Sequence, residues 1–547
     1  MQSILLLVIA LIWLVGTWLR IYRLARYFQI EEYKNLRYLR WWLRRYDMLL
    51  PTRPLVASLI GAGLAVMLSE APGSAVPLFI IAVASIAAVW PPDEGEIKKP
   101  FRRTERVTRL LVVAFLVAVF DITLYAFLVS LVGLEDVALQ AVAVMGCGLL
   151  TFLTVPLILI SANILLMPVE SFMRRRFVAS ARRVMAEIQP TVIGITGSYG
   201  KTTTKHFLAD ILNSRYRAYA TPKSYNTMMG ISMAINNDLA NNYAVDYFIV
   251  EMGAYIRGEI ARICDLTPPY VGIVVEVGPQ HLERFGSLEA TAEAKYELIA
   301  NLPSDGVGVF NWDNKYVRDI YERGYPQTRI AVSKTVAPQA APEDGPRFIA
   351  TDVSETLNGL SFTVHDRETG DVQPFTVPIA GEHNVTNLLL ATAVAVQEGM
   401  SLRDVAFRVR QLQPVESRLV RQTTPQGITI INDAYSANPA GVVSALKSLG
   451  LHTGGKRVLI TPGMIELGDM QAAENQRLGE IAARYATDVI LVGEGQTRPV
   501  QEGLAAAGFP PDRLRVVDEL REAVAWYQTQ LKPGDTVLFL NDLPDTY

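Results

Sequence analysis

The fold follows from one stretch of the sequence, Gly194-Ile195-Thr196-Gly197-Ser198-Tyr199-Gly200-Lys201-Thr202-Thr203-Thr204. An apolar run precedes it and a helical pattern follows it, which predicts a strand, a glycine-rich loop and a helix. Such a loop points backbone N–H groups inward at a helix N-terminus, and this favours phosphate. Lys201 is expected to reach the outer phosphates, and the Thr202 hydroxyl to bind Mg²⁺. Ile195 stands where the strict motif has glycine, so the match is to a variant; a glycine turn without a ligand is the weaker alternative.

The composition indicates a membrane part joined to a soluble part. Hydrophobic residues make up 50% of the 547 residues, charged residues only 19%, and the mean hydropathy is +0.22. Residues 1–187 hold 20 lysines and arginines against 13 acidic residues, whereas the rest holds 31 against 41. The two cysteines, Cys147 and Cys264, are not expected to pair, because Cys147 lies in an apolar run; a reducing compartment is therefore predicted.

Residues 1–170 are predicted to form a multi-span α-helical membrane domain. Its five apolar runs cover residues 3–19, 55–68, 75–90, 110–133 and 141–167. The second and third runs are short, so a re-entrant pair and a four-span count are the alternatives. Lysines and arginines concentrate in 20–53, 98–109 and 174–183 but are absent from 69–74 and 134–140. By the positive-inside rule the N-terminus lies outside, and the basic linker 171–190 and everything after it lie in the cytoplasm.

Two features of this membrane part have a possible functional meaning. Asp121 falls within the fourth apolar run, and an intramembrane acid is a functional-site hypothesis, against which stands a simple pairing with a headgroup or backbone donor. Residues 33–46 interleave arginines with tyrosine and tryptophan. This pattern predicts an amphipathic helix on an anionic membrane surface, and no nucleic acid is expected as a partner.

From Thr191 onward, short β-branched runs alternate with helical stretches, which predicts two α/β domains. The first, 191–413, is expected to hold a parallel sheet with a small antiparallel insertion at 345–380. The second, 414–547, is expected to be Rossmann-like. Glu251 ends a strand where an acid can hold Mg²⁺ opposite the phosphate loop. Considered alone, His281 and Lys295 would be ordinary structural or surface residues.

Several motifs occur together in this part of the chain. They are Glu251-Met252-Gly253-Ala254-Tyr255, Val277-Gly278-Pro279-Gln280-His281-Leu282-Glu283, Ala294-Lys295-Tyr296-Glu297, Gly381-Glu382-His383-Asn384-Val385-Thr386-Asn387, Ser417-Arg418 and Asn432-Asp433-Ala434-Tyr435. With the phosphate loop, they resemble the Mur ligases, the ATP-dependent amide-bond ligases of peptidoglycan synthesis. Within that family they are most similar to the MurF group, which adds D-Ala-D-Ala. The resemblance covers about 191–540.

The resemblance implies a role for each matching residue. Glu251 and Thr202 would hold a first Mg²⁺, and His281 a second, together with Lys295 carbamylated by CO₂. Arg418 and Asp433 would come from the second domain to close on the ATP. The residues implied to contact the nucleotide are Gly197, Ser198, Gly200, Lys201, Thr202, Thr203, Asn311, Asn387, Arg418 and Asp433, and those implied in catalysis are Lys201, His281, Lys295 and Arg418. The implied reaction passes through an acyl phosphate that an amine then attacks.

The sequence departs from the family at its N-terminus. Membrane spans occupy the place of the domain that grips a UDP-sugar, so a lipid-linked or polymeric precursor becomes an expected substrate beside a small UDP-linked one. The leading hypothesis is a plasma-membrane, multi-pass ligase that adds an amino acid or a dipeptide to a cell-envelope precursor at the cytoplasmic face. A capsule-type poly-amino-acid ligase is the alternative enzyme. A transporter gated by a ligase-like domain is the alternative from another class.

Overall fold

The computed structural model describes residues 2–68, 75–92, 101–280, 282–415, 418–434 and 438–541. His281, the predicted outer loop 69–74, and Lys98 and Lys99 of the predicted basic segment therefore lie outside the described residues. The chain divides into two compact units, the first ending at Arg175 and the second beginning at Arg176.

The first unit is helical. Its helices are α1 (Gln2–Ile30), α2 (Asn35–Leu43), α3 (Tyr46–Leu49), α4 (Thr52–Met67), α5 (Val76–Val89), α6 (Glu105–Ser130), α7 (Val137–Leu153) and α8 (Val155–Ile188), the last of which continues into the second unit. Among the described residues, three helices, α1, α6 and α8, are long and apolar enough to cross a membrane by length and composition. The apolar helices α4, α5 and α7 are shorter, with 16, 14 and 17 residues.

Contacts along α1 give the direction of its neighbours. Trp18 contacts Phe115 of α6 with ring centroids 5.5 Å apart, and the later Tyr22 contacts the earlier Phe101 at 5.0 Å, so α1 and α6 run antiparallel. Phe152, near the end of α7, meets Arg20 as well as Trp13, and Gly148, one turn earlier, meets Trp13. Helix α7 therefore runs in the same direction as α1.

The predicted fifth span, 141–167, is wrong as a single helix, because α7 ends at Leu153 and α8 begins at Val155. The Thr154 hydroxyl donates to the carbonyls of Leu150 (2.9 Å) and Thr151 (3.2 Å) at the break. Pro156 has no N–H to continue the α7 ladder, but it fits the first turn of a new helix. The break thus has a local cause in the sequence.

The second unit begins with a nine-stranded sheet. Its strands are β1 (Thr191–Thr196), β2 (Ala218–Ala220), β3 (Tyr247–Glu251), β4 (Val271–Val274), β5 (Val307–Asn311), β6 (Thr328–Ser333), β7 (Phe348–Thr356), β8 (Gly359–Asp366) and β9 (Val372–Val377), in the order β2-β3-β1-β4-β5-β6-β7-β8-β9. Its helices are α9 (Lys201–Leu212), α10 (Met228–Asn237), α11 (Glu259–Leu266), α12 (Leu282–Phe285), α13 (Leu288–Ala300), α14 (Lys315–Glu322), α15 (Asn384–Gln397) and α16 (Leu402–Arg408).

The predicted parallel sheet and the small antiparallel insertion at 345–380 are both present, and one mixed sheet contains them. Strands β1 to β6 pair in parallel, β6 also pairs in parallel with β7, and β7–β9 then continue the same sheet antiparallel. The connections from β7 to β8 and from β8 to β9 hold only a few residues, too few for the crossover that a parallel pair needs.

A second, six-stranded sheet follows. Its strands are β10 (Val420–Thr423), β11 (Thr429–Asp433), β12 (Arg457–Thr461), β13 (Asp488–Val492), β14 (Leu514–Val517) and β15 (Thr536–Leu540), in the order β10-β11-β15-β12-β13-β14. Its helices are α17 (Pro439–Gly450), α18 (Gln471–Tyr485), α19 (Glu494–Ala506) and α20 (Leu520–Gln530). All pairs are parallel except β10 with β11 at the edge. Both α/β domains thus place loops at the carboxyl ends of parallel strands, where such sheets bind ligands.

Candidate active site

The predicted phosphate loop lies between β1 and α9, near the middle of the nine-stranded sheet. Gly200 caps α9 with φ +77°, in the left-handed region that favours glycine. A Cβ at Gly200 would come within 2.6 Å of the Asn387 side-chain oxygen and 2.7 Å of Val275. Both the backbone conformation and the close neighbours therefore require glycine at this position.

Hydrogen bonds to Glu276 and Gly278 hold the loop, and the Lys201 side chain folds back over the backbone of the loop. The backbone N–H of Ser198 donates to the Glu276 carbonyl at 2.7 Å, and the Ser198 hydroxyl both donates to and accepts from the backbone of Gly278 at 3.0 Å. The Lys201 ammonium donates to the carbonyls of Gly197 and Ser198, the latter at 3.1 Å. Burial lowers the pKa of Lys201 to about 8, against the Glu251 carboxylate, which raises it.

Glu251 is the centre of a buried polar cluster beside the loop. Its Oε2 accepts from the Thr202 hydroxyl at 3.0 Å and from the Lys205 ammonium at 3.1 Å, while Oε1 accepts from the Asn226 amide at 3.1 Å. The side chains of Lys205 and Glu251 are 0% and 1% exposed. Burial by itself raises the pKa of Glu251, but the ammonium groups of Lys205 and Lys201 outweigh this, and the pKa lies below its usual range. Glu251 is therefore a carboxylate.

Lys205 and Asn226 were not found by reasoning from the sequence. The signal for Lys205 was available, since it follows Lys201 by four residues and so shares its face of α9. Asn226 lies in the connection between β2 and α10, and no pattern in that stretch distinguishes it from a loop residue. Its amide also packs against Gly253, where a Cβ would come within 2.9 Å.

A second carboxyl group, that of the partly buried Glu276, lies on the other side of the loop and was also missed. The Asn311 amide donates to Glu276 Oε2 at 2.9 Å and to the Val275 carbonyl at 3.0 Å, and the Asn314 amide donates to Glu276 Oε1 at 2.5 Å. Burial raises the pKa of Glu276 to about 7, although these two amides lower it. Asn311, predicted near the nucleotide, is thus 3% exposed and holds this carboxyl group in place.

Asn387 and Thr203 lie behind the loop. The Thr204 hydroxyl donates to the Asn387 side-chain oxygen at 3.2 Å, and the Asn387 amide donates to Asn384 at 3.1 Å. Thr203 is 8% exposed and Asn387 4% exposed. In this structure Asn387 supports the start of α9 from the interior, and Thr203 is buried in the first turn of that helix.

Lys295 on α13 is 3% exposed, although its sequence context reads as an ordinary helix surface. Its ammonium lies 5.8 Å from the centre of the Phe285 ring. Burial lowers its pKa to about 7, and nearby Lys201 lowers it further. The amine is therefore substantially uncharged at neutral pH, which is the form that reacts with CO₂.

The six-stranded domain brings Arg418 and Asp433 towards the loop. Arg418 is half-buried, and its charge lowers the pKa of Lys201, so the two cations lie close together. Asp433 ends β11, and its Oδ1 accepts from the backbone N–H of Leu419 at 3.1 Å. Burial raises the pKa of Asp433 to about 6, although Arg418 lowers it. Of the predicted site residues, only His281 lies outside the described part of the chain.

The donors beside the loop fit one Mg²⁺ ion. Carboxylate and hydroxyl oxygens are its preferred ligands, and Mg²⁺ is commonly held by one or two carboxylates together with substrate phosphates. Glu251 and Thr202 supply such oxygens 3.0 Å apart. Within the described ranges no group of three His, Cys, Asp or Glu side chains could hold a metal ion by itself. A metal here would thus depend on the phosphates of a bound nucleotide.

Comparison with known proteins agrees with this arrangement. The Mur ligase middle domain matches residues 195–395, and the Mur ligase glutamate ligase domain matches residues 417–541. A UDP-N-acetylmuramoyl-tripeptide–D-alanyl-D-alanine ligase of Mycobacterium tuberculosis (strain H37Rv) is 32% identical over 369 residues, which cover 64% of this chain and 69% of the relative. The chain belongs to the Mur ligase family. It is therefore an ATP-dependent, ADP-forming acid–amino-acid ligase.

Solved Mur ligases share the fold of the second unit. A crystal structure of MurF from Acinetobacter baumannii aligns with TM-score 0.57 and 26% identity over 68% of this chain and 77% of that one. MurF from Thermotoga maritima in complex with ADP aligns with TM-score 0.58 and 23% identity over 68% and 80%. The family domains begin at residue 195, and the N-terminal region is helical where Mur ligases usually carry a UDP-sugar domain.

Proposed function

We propose that this Mur ligase joins D-Ala-D-Ala or an amino acid to the carboxylate of a cell-envelope precursor at the cytoplasmic face of the membrane. The observation that carries the proposal is the convergence of Lys201, Glu251, Lys295 and Arg418 around one phosphate loop. ATP would place its outer phosphates on Lys201 and the backbone of 197–200. The D-Ala-D-Ala part rests on the names of the relatives, which are ligases for that dipeptide.

The reaction would pass through an acyl phosphate. The precursor carboxylate attacks the γ-phosphorus of ATP, ADP leaves, the amine then attacks the acyl carbon, and phosphate departs. Charge develops on the transferred phosphoryl group, so the residues that matter most are cations and N–H donors. Lys201 and Arg418 supply two such cations from two domains, which fits a cycle of domain closure. Mg²⁺ held by Glu251 and Thr202 would neutralise phosphate charge, and His281 remains the proposed ligand of a second ion.

The carbamate of Lys295 is proposed on its burial and its lowered pKa. A neutral amine attacks CO₂ and loses a proton, which leaves a carbamate anion near Lys201. We expect Lys295→Ala to lose at least about a hundredfold in phosphate release, and short carboxylates such as acetate or propionate to restore part of it. Lys315→Ala, an exposed lysine paired with Asp319, is the matched control. Unchanged activity of Lys295→Ala without any added carboxylate would contradict the carbamate.

The membrane location rests on the first unit. Helices α1 and α7 run in one direction and α6 in the other, and α8 continues after α7. The hairpin of α4 and α5 ends on the side of the membrane where it began, because it either enters and leaves on that side or crosses twice. Either way the number of crossings is odd, so the end of α8 lies opposite the N-terminus. With the basic segments inside, this supports an outer N-terminus and cytoplasmic domains 191–413 and 414–547.

A product assay tests the function. The full-length chain in detergent would be incubated with ATP, Mg²⁺, an amine and an acceptor, and phosphate release and the mass of the product would be measured. The amines are D-Ala-D-Ala and free amino acids, and the acceptors are UDP-linked and lipid-linked muramyl tripeptides. We expect a product with D-Ala-D-Ala and faster turnover of the lipid-linked acceptor. Turnover of UDP-linked acceptor alone would remove the membrane substrate, and products of repeated amino-acid addition would favour the capsule-type ligase.

A further inference from the structure

The first unit contains a buried cation that the proposed chemistry does not use. Arg20 of α1 is 3% exposed, directly after the apolar stretch 3–19. It thus lies at the level where the proposed membrane span meets the cytoplasmic side. A guanidinium stays charged at any physiological pH, so its position inside the helical unit needs a compensating interaction.

The contacts of Arg20 satisfy it only in part. Its Nη2 donates to the Met48 carbonyl at 2.8 Å, and its guanidinium carbon lies 4.5 Å from the centre of the Phe152 ring. Its Nε and Nη1 are buried and have no hydrogen-bond partner in the part of the chain that the structure describes. Among the side chains that the structure describes, no carboxylate forms an ion pair with Arg20, and the charge of its neighbour Arg23 acts on it unfavourably.

Two more unsatisfied donors come from α2, the short helix that covers this end of α1. Tyr38 is 0% exposed, lies near enough to Arg20 to interact with it electrostatically, and has a buried hydroxyl without a partner in the described ranges. Trp42 is one helical turn further on the same face, and its buried indole N–H likewise has no partner there. Both side chains belong to the apolar cluster that contains Phe28 and Leu24.

These atoms share one property, which is that they can donate. A guanidinium and an indole N–H have only donors, and the Tyr38 hydroxyl is the one group of the three that can also accept, so they cannot fully satisfy one another. Leaving buried donors unpaired, and a buried cation without an anion, is unfavourable. A ligand that removes both costs must bring negative charge and several acceptor oxygens. A phosphate group does so, and a guanidinium binds it with two parallel hydrogen bonds.

We propose that Arg20, Tyr38 and Trp42 form a binding site for the phosphate of a lipid head group on the cytoplasmic side. Basic pockets between helices on that side of a membrane bind phosphorylated head groups. The surrounding Phe28 and Phe152 rings suit acyl or prenyl chains, which a free nucleotide lacks. The inference rests on the proposed function for its membrane location, and it deepens that function, because a lipid-linked precursor carries a phosphate at this level.

Native mass spectrometry of the full-length chain in a phosphate-free maltoside detergent tests the site. Phosphatidic acid is the probe, diacylglycerol is the matched lipid without phosphate, and inorganic phosphate is the matched anion without a lipid. We expect one phosphatidic acid to bind tightly, diacylglycerol to bind at least about tenfold more weakly, and inorganic phosphate not to displace the lipid at equal concentration.

Variants connect the binding to the named residues. Arg20→Gln is expected to weaken phosphatidic acid binding about tenfold or more, and Tyr38→Phe, which removes only the hydroxyl, by a few-fold. Arg40→Gln removes the same charge from an exposed position of α2 and is expected to bind as the parent does. If Arg20→Gln does not fold, Tyr38→Phe alone decides, since its shape is unchanged.

Three results would overturn the proposal: equal binding by the parent, Tyr38→Phe and Arg20→Gln; equal binding of diacylglycerol; or full displacement by inorganic phosphate, which would make it a free-anion site. Failure of the ligase function is distinguishable from these. ATP turnover with a UDP-linked acceptor reports the catalytic domains alone, and lipid binding that depends on Arg20 would stand even if no lipid-linked acceptor were used.

Discussion

The two α/β domains place their charged groups differently. The nine-stranded domain has Lys205 of α9, Glu251 at the end of β3 and Lys295 of α13 almost fully buried, and the first two compensate one another within that domain. The six-stranded domain contributes Arg418 and Asp433 from half-buried positions at its edge. One domain therefore carries an internally assembled electrostatic site, and the other completes it only when placed against it. Substitutions should consequently affect stability and chemistry in the first domain and mainly closure in the second.

The largest expected effect comes from Lys201→Ala. This lysine is the one cation on the phosphate loop itself, so its loss should lower phosphate release by about a thousandfold. The measurement is ATP-dependent phosphate release by the full-length chain. Lys315→Ala is again the control, with unchanged release expected. If Lys201→Ala retained activity within tenfold, the phosphate-loop assignment would be wrong and the contrast between the domains would fail.

Next in size is Lys205→Met, which breaks the buried pair with Glu251. It should lower the free energy of unfolding by about 3 kcal/mol, because a buried carboxylate loses its closest cation. Chemical denaturation of the full-length chain measures this. The double variant Lys205→Met with Glu251→Gln should recover most of the loss, since neither remaining group is charged. Equal stability of Lys205→Met and the parent would show that the cluster is not internally compensated.

These two lysines show what could be predicted from the sequence. Lys201 follows a glycine loop, and the chemistry of that loop is local, so the strand, the loop and the helix were predicted correctly. Lys205 matters because β3 brings Glu251 beside α9, 46 residues later in the chain. Likewise, Glu276 accepts hydrogen bonds from Asn311 and Asn314, which come from β5 and the turn after it. Contacts between distant segments leave no periodic signal.

The same distinction applies to the folds. The alternation of apolar runs with helical stretches predicted α/β domains, and runs such as Tyr247–Glu251 and Val307–Asn311 are buried strands of the first sheet, because short apolar runs bounded by turns are typical of strands. The parallel pairing of β6 with β7 joins the expected insertion to the main sheet. This pairing depends on the path of the chain between the two strands, which the sequence pattern does not indicate. The break at Thr154 was missed because an apolar run looks alike whether one helix or two contain it.

Glu276→Gln is expected to have an intermediate effect, visible in the pH dependence of stability. The folded pKa of about 7 lies above the ordinary value of 4.5, so the folded state holds a proton that the unfolded state releases. The free energy of unfolding of the parent should therefore fall between about pH 4.5 and pH 7, by on the order of 2 kcal/mol. The variant should lack this fall. Denaturant titrations of the parent and the variant at pH 4.5 and pH 8 measure the free energy of unfolding. The same change between the two pH values in both proteins would contradict the raised pKa of Glu276.

The smallest expected effect is that of Lys447→Gln in the six-stranded domain. Lys447 on α17 lies 2.9 Å from Glu382, which precedes α15 of the other domain, and the two side chains are 45% and 40% exposed. Exposed pairs of this kind contribute less than about 1 kcal/mol, and about 1 M salt screens them. Denaturation at low and high salt should therefore show a small loss that disappears with salt, whereas Lys532→Gln, an exposed lysine of the same domain, should show none.

The informative reading of Lys447→Gln is kinetic. If the six-stranded domain acts by closing on the first, the pair is made only in the closed state, and its loss should raise the KM for ATP by a few-fold while leaving kcat and stability nearly unchanged. A loss of stability comparable to that of Lys205→Met would mean instead that the second domain also carries an internal part of the site. In that case the contrast between the nine-stranded domain, which holds its charged site internally, and the six-stranded domain, which only completes the site, would be wrong.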